Sequence, residues 1–336
     1  MIKTAVIGVG SMGSNHARIY SELADSMLVA VCDSNPGVVA GVADRYHIPA
    51  FTDFKEMLSL AKPEAVSIVV PTALHGEVAE ACLTAGAHVL VEKPIAATIA
   101  QGEQMIRTAL RCQRKLMVGH VVRFNPAIQQ LKRSLQNGDL GRIYQVVCRR
   151  VGPFPARVRD VGVVIDLASH DLDLMRFLTE KEPIRVFAET EQRIHTDHED
   201  LLLALLRFPD GMSGCLEINW LTPTKVREVL VLGERGMFKV DDLTQDLYFF
   251  ENASAGEAFW PALQTLRGVS EGSMVRFALQ RYEPLKAELQ AFVHAVRQDE
   301  PVPVSGEDGL EALRLALALV ESGRSHRVLQ VAKDVV

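Results

Sequence analysis

The chain has 336 residues, too many for one ordinary core and enough for two domains. With 48% hydrophobic and 23% charged residues it has the composition of a soluble globular protein, and a net charge of −6 argues against a nucleic-acid partner. No apolar stretch is long enough for a bilayer-crossing helix, which argues against a membrane partner.

The opening MIKTAVIGVG reads as a buried strand at the start of a domain. It does not read as a signal core, because Gly8 and Gly10 interrupt it and no small-residue cleavage site follows. Short apolar runs then alternate with helical patterns as far as residue 120. The runs are Thr4–Ile7, Leu28–Cys32, Ala65–Val70, His88–Val91 and Leu116–Val118; the helical segments include Gly13–Ala24, Gly37–Tyr46, Gly76–Ala85 and Ile99–Arg111. This alternation predicts an α/β domain over 1–120 with a parallel sheet covered on both faces. After an amphipathic helix over Pro126–Gln136 the pattern changes to strands joined by tight turns. Asp210-Gly211 separates Leu201–Phe208 from Ser213–Trp220, and Gly233–Gly236 separates Val226–Leu232 from Met237–Val240. With helices expected over Asp166–Leu178, Glu283–Arg297 and Gly306–Glu321, residues 121–336 read as an α+β domain with a mostly antiparallel sheet. Glu251–Ser273 has little period and reads as a long loop.

The five cysteines, Cys32, Cys82, Cys112, Cys148 and Cys215, are scattered and form no CxxC pair. They imply reduced core thiols in a cytoplasmic protein, not a disulfide framework or a zinc site.

Gly8-Val9-Gly10-Ser11-Met12-Gly13 matches GxGxxG in the context that gives it meaning, after an apolar strand and at the head of a helix. Gly8 permits the tight turn, Gly10 lets backbone approach a pyrophosphate, and Gly13 lets helix and strand pack closely. The helix N-terminus presents N–H groups and a positive dipole end to phosphates. Asp33 closes the second strand 20 residues after Gly13, where a carboxylate bonds ribose hydroxyls and repels a 2′-phosphate. No Arg follows within Ser34-Asn35-Pro36, so the cofactor expected is NAD. Residues at the carboxyl ends of parallel strands face the ligand crevice. Ser34, Pro71, Thr72, His75, Glu92, Lys93 and His120 therefore join the candidate cofactor contacts, with a surface histidine the equal alternative for His75.

Two further groups carry chemistry. Lys93 lies in Glu92-Lys93-Pro94 after the strand His88–Val91, where an ammonium would stabilise an alkoxide; a solvated charged loop is the alternative. Asp166 and His170 are spaced i, i+4 on one helix, a carboxylate beside an imidazole suited to general-base work. The histidines offer no second ligand set for a metal, and His195 and His198 lie in a charged run that reads as a solvated turn.

In order and spacing, Gly8–Gly13, Glu92-Lys93-Pro94 and Asp166-x-x-x-His170 resemble the glucose–fructose oxidoreductase/inositol dehydrogenase (Gfo/Idh/MocA) family over essentially the whole chain. The resemblance implies a Rossmann domain, an open-faced α+β domain for substrate binding and oligomerisation, and an active site between them. It also implies Lys93 and His170 beside a reacting hydroxyl, Asp166 completing the set, and dimers or tetramers formed through the open sheet. Gly119–Pro126, Arg150–Pro153, Asp160–Leu167 and Asn219–Pro223 look like the branch that oxidises nucleotide sugars. On that reading Arg123, Asn125, Arg157 and Arg159 join Lys93, Asp166 and His170 as substrate contacts, and Arg149 and Arg150 also precede the catalytic helix. Guanidinium groups suit a diphosphate, although ordinary strand-end arginines fit equally. The rival readings are an inositol or free-sugar dehydrogenase, and a cofactor-sensing regulator without catalysis.

Overall fold

The computed structural model describes residues 1–155, 161–195, 197–253 and 271–331. By contacts the chain forms two compact units, one of Met1–Phe124 with Glu283–Arg314, the other of Asn125–Tyr282 with Leu315–Val336.

In the first unit β1 (Ile2–Ile7), β2 (Ser26–Cys32), β3 (Ala50–Phe51), β4 (Ala65–Ile68), β5 (His88–Glu92) and β6 (Leu116–Gly119) form one parallel sheet in the order β3-β2-β1-β4-β5-β6. They alternate with α1 (Ser11–Glu22), α2 (Pro36–Tyr46), α3 (Phe54–Ala61), α4 (His75–Thr84) and α5 (Ile99–Cys112). Helices cover both sheet faces, so β4 is buried throughout and β1 over Thr4–Ile7. This is the strand order of a dinucleotide-binding fold, and its direction reverses between β1 and β4, whose carboxyl ends therefore border the crevice. β3 and α3 lie outside the elements read from the pattern, because a two-residue strand has no period to detect and α3 is only about two turns long.

The helices α8 (Pro284–Gln298) and α9 (Gly306–Ser325) follow their sequence period. The sequence reading places both with residues 121–336. By contacts, α8 and α9 as far as Arg314 belong to the first unit. There Leu289, Phe292 and Val293 are buried, the Val118 N–H donates to the Val304 carbonyl at 3.2 Å, and a Cβ on Gly309 would lie 2.5 Å from Val118. A helical period reveals an apolar face and leaves open what covers it.

In the second unit β7 (Ile143–Pro153), β8 (Arg185–Glu191), β9 (Leu201–Arg207), β10 (Ser213–Asn219), β11 (Leu221–Gly233), β12 (Gly236–Asp241), β13 (Asp246–Asn252), β14 (Glu271–Arg276) and β15 (Leu329–Gln330) form one mixed sheet. Its order is β14-β13-β12-β11-β7-β10-β9-β8-β15, antiparallel throughout except for β7 with β10. α6 (Pro126–Gln136) and α7 (Ser169–Thr179) lie against one face, and the burial pattern follows. On β9, Leu202, Ala204 and Leu206 are buried while Leu203 and Leu205 are 51% and 57% exposed, the period-2 signature of a sheet covered on one side. The predicted turn at Asp210-Gly211 is present, with Gly211 at φ +88°. Of the expected loop over Glu251–Ser273, residues 254–270 lie outside the described residues, and its flanks belong to β13 and β14.

A buried ion pair ties α7 to the sheet. Arg150 on β7 donates from Nε and Nη2 to the Asp171 carboxylate at 2.8 and 2.9 Å, and its Nη1 lies 3.7 Å from Asp242. Burial alone would lower the Arg150 pKa, but Asp171 and Asp242 more than offset it and raise it. Burial in turn raises the Asp171 carboxyl, and Arg150 opposes that rise. Removing one partner strands the other charge, so Asp171→Ala is expected to cost about 3–5 kcal/mol, read as a lowered urea midpoint. The paired change Arg150→Met with Asp171→Leu should recover most of that loss; a single variant as stable as the parent would refute this account of the pair.

Candidate active site

The turn from β1 into α1 is built by sterics. Gly8 has φ +85°, and a Cβ on it would sit 2.4 Å from the Val69 carbonyl oxygen; one on Gly13 would sit 1.8 Å from the Gly8 carbonyl oxygen. Both positions therefore require glycine, and together they seat α1 against the sheet. At Gly10 a Cβ would meet nothing within 4 Å, so this face of the loop is open to a ligand. Asn35, Asp53 and Thr98 cap α2, α3 and α5 with side-chain oxygens, whereas α1 has Gly10 at its cap and no side-chain bond there. Ser11 and Met12 are exposed in its first turn. An uncapped, exposed helix start whose backbone has no Cβ before it fits a diphosphate. Asp33 accepts from the Val9 N–H and from the Asn35 N–H, both at 2.9 Å. These bonds orient the carboxylate and still leave lone pairs for ribose hydroxyls. Ser34 beside it is exposed. Pro71 is exposed and Thr72 half-buried, in the turn that follows β4 at the reversal of strand order.

His75 is not a surface residue. It is buried, with Nδ1 2.9 Å from the Pro94 carbonyl oxygen and Nε2 2.9 Å from that of Val70. Burial lowers its pKa and the two carbonyls only partly oppose that, so the neutral ring donates to one of them at a time. Its polar atoms thus tie the end of β4 to the Glu92-Lys93-Pro94 segment. Glu92 is also buried. Its Oε1 lies 3.2 Å from Nε2 of His16 on α1, and its Oε2 accepts from the Lys93 N–H at 3.3 Å. Burial would raise the Glu92 carboxyl; His16, and Lys93 after it, more than offset this and hold it below the usual range. A Cβ on Gly119 would come within 3.1 Å of that carboxylate, a tight contact to which the Glu92 side chain would have to yield. Lys93 itself is half-buried, the Lys93–Pro94 peptide is cis, and His120 is buried at the end of β6. His16 carried no signal in the sequence, since nothing in the spacing pairs it with a residue 76 positions away.

In the second unit Asp166 and His170 are both half-buried. They straddle the junction of a π-helical turn, Val164–Ala168, with α7. Such turns recur at functional sites because they widen the helix and redirect its side chains. Glu199 holds this turn: its carbonyl accepts from the Val163 N–H at 2.9 Å and its Oε1 from the Val164 N–H at 3.3 Å. The i, i+4 spacing had suggested one regular helix; the structure places the pair where the helix changes pitch.

Other candidates have structural partners. Arg123 is buried and donates to the Pro303 carbonyl and to Asp308, both at 3.3 Å. Asn125 is buried, caps α6 through the Ala127 N–H at 2.8 Å, and donates to the Asp242 carbonyl at 2.9 Å. Arg149 pairs with Glu217 at 2.9 Å, and Arg150 with Asp171. Arg157 and Arg159 lie outside the described residues. The expected solvated turn at His195 is corrected: the ring is buried, stacked on Trp220 at 6.1 Å and edge-on to Phe154 at 5.7 Å. Among the described residues no group of His, Cys, Asp and Glu is arranged to hold a metal.

Comparison with known proteins agrees with this geometry. Residues 2–120 match an oxidoreductase family with an NAD-binding Rossmann fold, and residues 128–239 match the GFO/IDH/MocA C-terminal domain. The chain is 31% identical to the UDP-N-acetylglucosamine 3-dehydrogenase of Acidithiobacillus ferrooxidans over 94% of its own length and 95% of that enzyme's. A solved structure of that enzyme superposes with a TM-score of 0.85, covering 96% of this chain and 98% of the other. The chain is also 26% identical to the myo-inositol 2-dehydrogenase of Thermotoga maritima, over 98% of each. The N-terminal unit therefore binds NAD, with Asp33 on the ribose as the expected contact. Asp33→Ala should raise the Kd for NAD about tenfold or more and narrow the preference over NADP, measured by calorimetry with both cofactors. Unchanged affinity would remove Asp33 from the cofactor set.

Proposed function

Because the chain belongs to the Gfo/Idh/MocA family of NAD-dependent oxidoreductases, we propose that it oxidises a hydroxyl of a nucleotide sugar of the UDP-N-acetylglucosamine class. The likeness to a UDP-N-acetylglucosamine 3-dehydrogenase over nearly the whole chain carries the substrate class. An inositol dehydrogenase is the second reading, favoured by the whole-length likeness to the Thermotoga enzyme. Assaying UDP-N-acetylglucosamine and myo-inositol side by side with NAD separates them: turnover of inositol alone would overturn the nucleotide-sugar reading.

Bound NAD supplies the hydride acceptor. The chain's residues do the rest. His170 takes the proton of the reacting hydroxyl as general base, and Asp166, four residues before it, stabilises the protonated ring. The Lys93 ammonium stabilises the oxygen as negative charge develops on it. The His16–Glu92 and His75–Pro94 contacts hold the Lys93 segment in place, which makes His16, Glu92 and His75 positioning residues on this reading. Contact with NAD is proposed for the Gly8–Gly13 loop, Asp33, Ser34, Pro71, Thr72, Lys93 and the strand end at His120. The free thiols among the described residues fit a reducing compartment such as the cytoplasm.

The second sheet supplies an oligomerisation face. Its uncovered side carries a continuous row across the strands, Phe187, Leu205, Cys215, Val147 and Leu230, paired in register. We assign this row to contact with a second copy of the chain, as a homodimer or as part of a homotetramer, because an uncovered apolar row is unfavourable in water.

Lys93→Ala should lower kcat by about a hundredfold or more, from the loss of one charged stabiliser, and weaken NAD binding by a much smaller factor. Near-normal turnover would sink the role given to Lys93. Leu205→Glu should shift the protein toward monomer in size-exclusion chromatography with light scattering; an unchanged mass would place the interface elsewhere.

A further inference from the structure

Arg227 on β11 stands directly opposite Arg150 on β7. Opposed residues of an antiparallel pair share a sheet face, so Arg227 lies on the side to which Arg150 and α7 belong. The partners of the two guanidinium groups differ. Arg150 is held bidentately by Asp171. Arg227 makes no ion pair among the described residues; its Nη1 donates to the Val151 and Val226 carbonyls at 2.7 and 2.8 Å. A guanidinium has five N–H donors, and those on Nε and Nη2 form the fork that suits a phosphate or carboxylate.

This guanidinium is partly withdrawn from water. Arg227 is half-buried, and burial first, then Arg150, pull its pKa down to about 10 against the opposing charges of Asp171, Asp242 and Asp166. Burial and the like charge of Arg150 thus outweigh those carboxylates. Asp166 also belongs to the π turn that leads to His170. Next to the guanidinium, Gly152 leaves room at the strand end. A Cβ there would lie 3.9 Å from Arg227 Nη1 and 3.7 Å from Lys225 Cγ, so the guanidinium and the stem of a second basic residue lie over one glycine.

Resting on the nucleotide-sugar reading, we propose that Arg227, assisted by Lys225, is a specificity-determining residue that binds the diphosphate of the substrate whose hydroxyl faces His170. The neighbouring Arg150 does not take this role, because Asp171 occupies its fork.

The test uses the full-length enzyme with NAD and three variants, Arg227→Gln, Arg227→Lys and Lys225→Ala. Loss of one charged hydrogen-bonding group should raise the KM for UDP-N-acetylglucosamine by about tenfold or more in Arg227→Gln, with kcat within about threefold. The Kd for UDP alone, by calorimetry, should weaken by the same factor. Arg227→Lys should recover part of the loss and Lys225→Ala should show a smaller one, while melting temperature and NAD affinity stay at parental values. If the parent binds UDP and Arg227→Gln binds it equally well, the assignment to Arg227 is overturned and the nucleotide-sugar reading stands. A fall in kcat with unchanged KM also overturns the assignment. If the parent binds no UDP and turns over only myo-inositol, the nucleotide-sugar reading fails and the proposal fails with it.

Discussion

The cofactor half of this protein depends on how closely α1 approaches β1. No atom larger than hydrogen fits on Gly13, where a Cβ would lie 1.8 Å from the Gly8 carbonyl oxygen. That contact sets where the helix begins and leaves its first N–H groups uncapped beside Gly10. It also aligns the Val9 N–H with Asp33. The arrangement proposed for phosphate and ribose recognition thus descends from one steric condition, met by glycines at two positions.

Each unit also places a buried, paired charge next in sequence to a candidate reactive residue. Glu92 is held by His16 and precedes Lys93; Asp171 is held by Arg150 and follows His170. A buried carboxylate with a fixed partner is costly to move, because displacement strands its charge in low dielectric. The residue one peptide away inherits that rigidity while its own side chain is only half-buried. Preorganisation of this kind limits the reorganisation left to the moment of reaction.

The positions whose partners are illegible in the sequence share a physical cause. Arg123, Asn125, Arg149 and Arg150 are polar residues near candidate motifs, and polarity alone does not separate a ligand contact from a buried anchor. Their carboxylate or carbonyl partners lie at large sequence separations, such as Asp242 for Asn125 and Asp308 for Arg123, so no local pattern announces them. His195 was read as solvated because its neighbours are charged, yet the ring is covered by Phe154 and Trp220 from other parts of the chain. Arg227 was passed over for the opposite reason, since it sits inside an unremarkable strand and gains meaning only from standing beside Arg150.

The sequence by itself determined the fold of the first unit, the cofactor class and the family. These rest on local rules: glycine where no Cβ fits, an acid at the end of the second strand, and apolar runs of helix or strand period. Tertiary structure decided which polar groups are paired with residues far along the chain. It assigned α8 and the first half of α9 to the N-terminal unit, paired His16 with Glu92, and occupied the fork of Arg150 while leaving that of Arg227 without a partner among the described residues. The reason is that charge compensation and burial depend on distances between residues far apart in the chain, and those distances are set only when the chain folds.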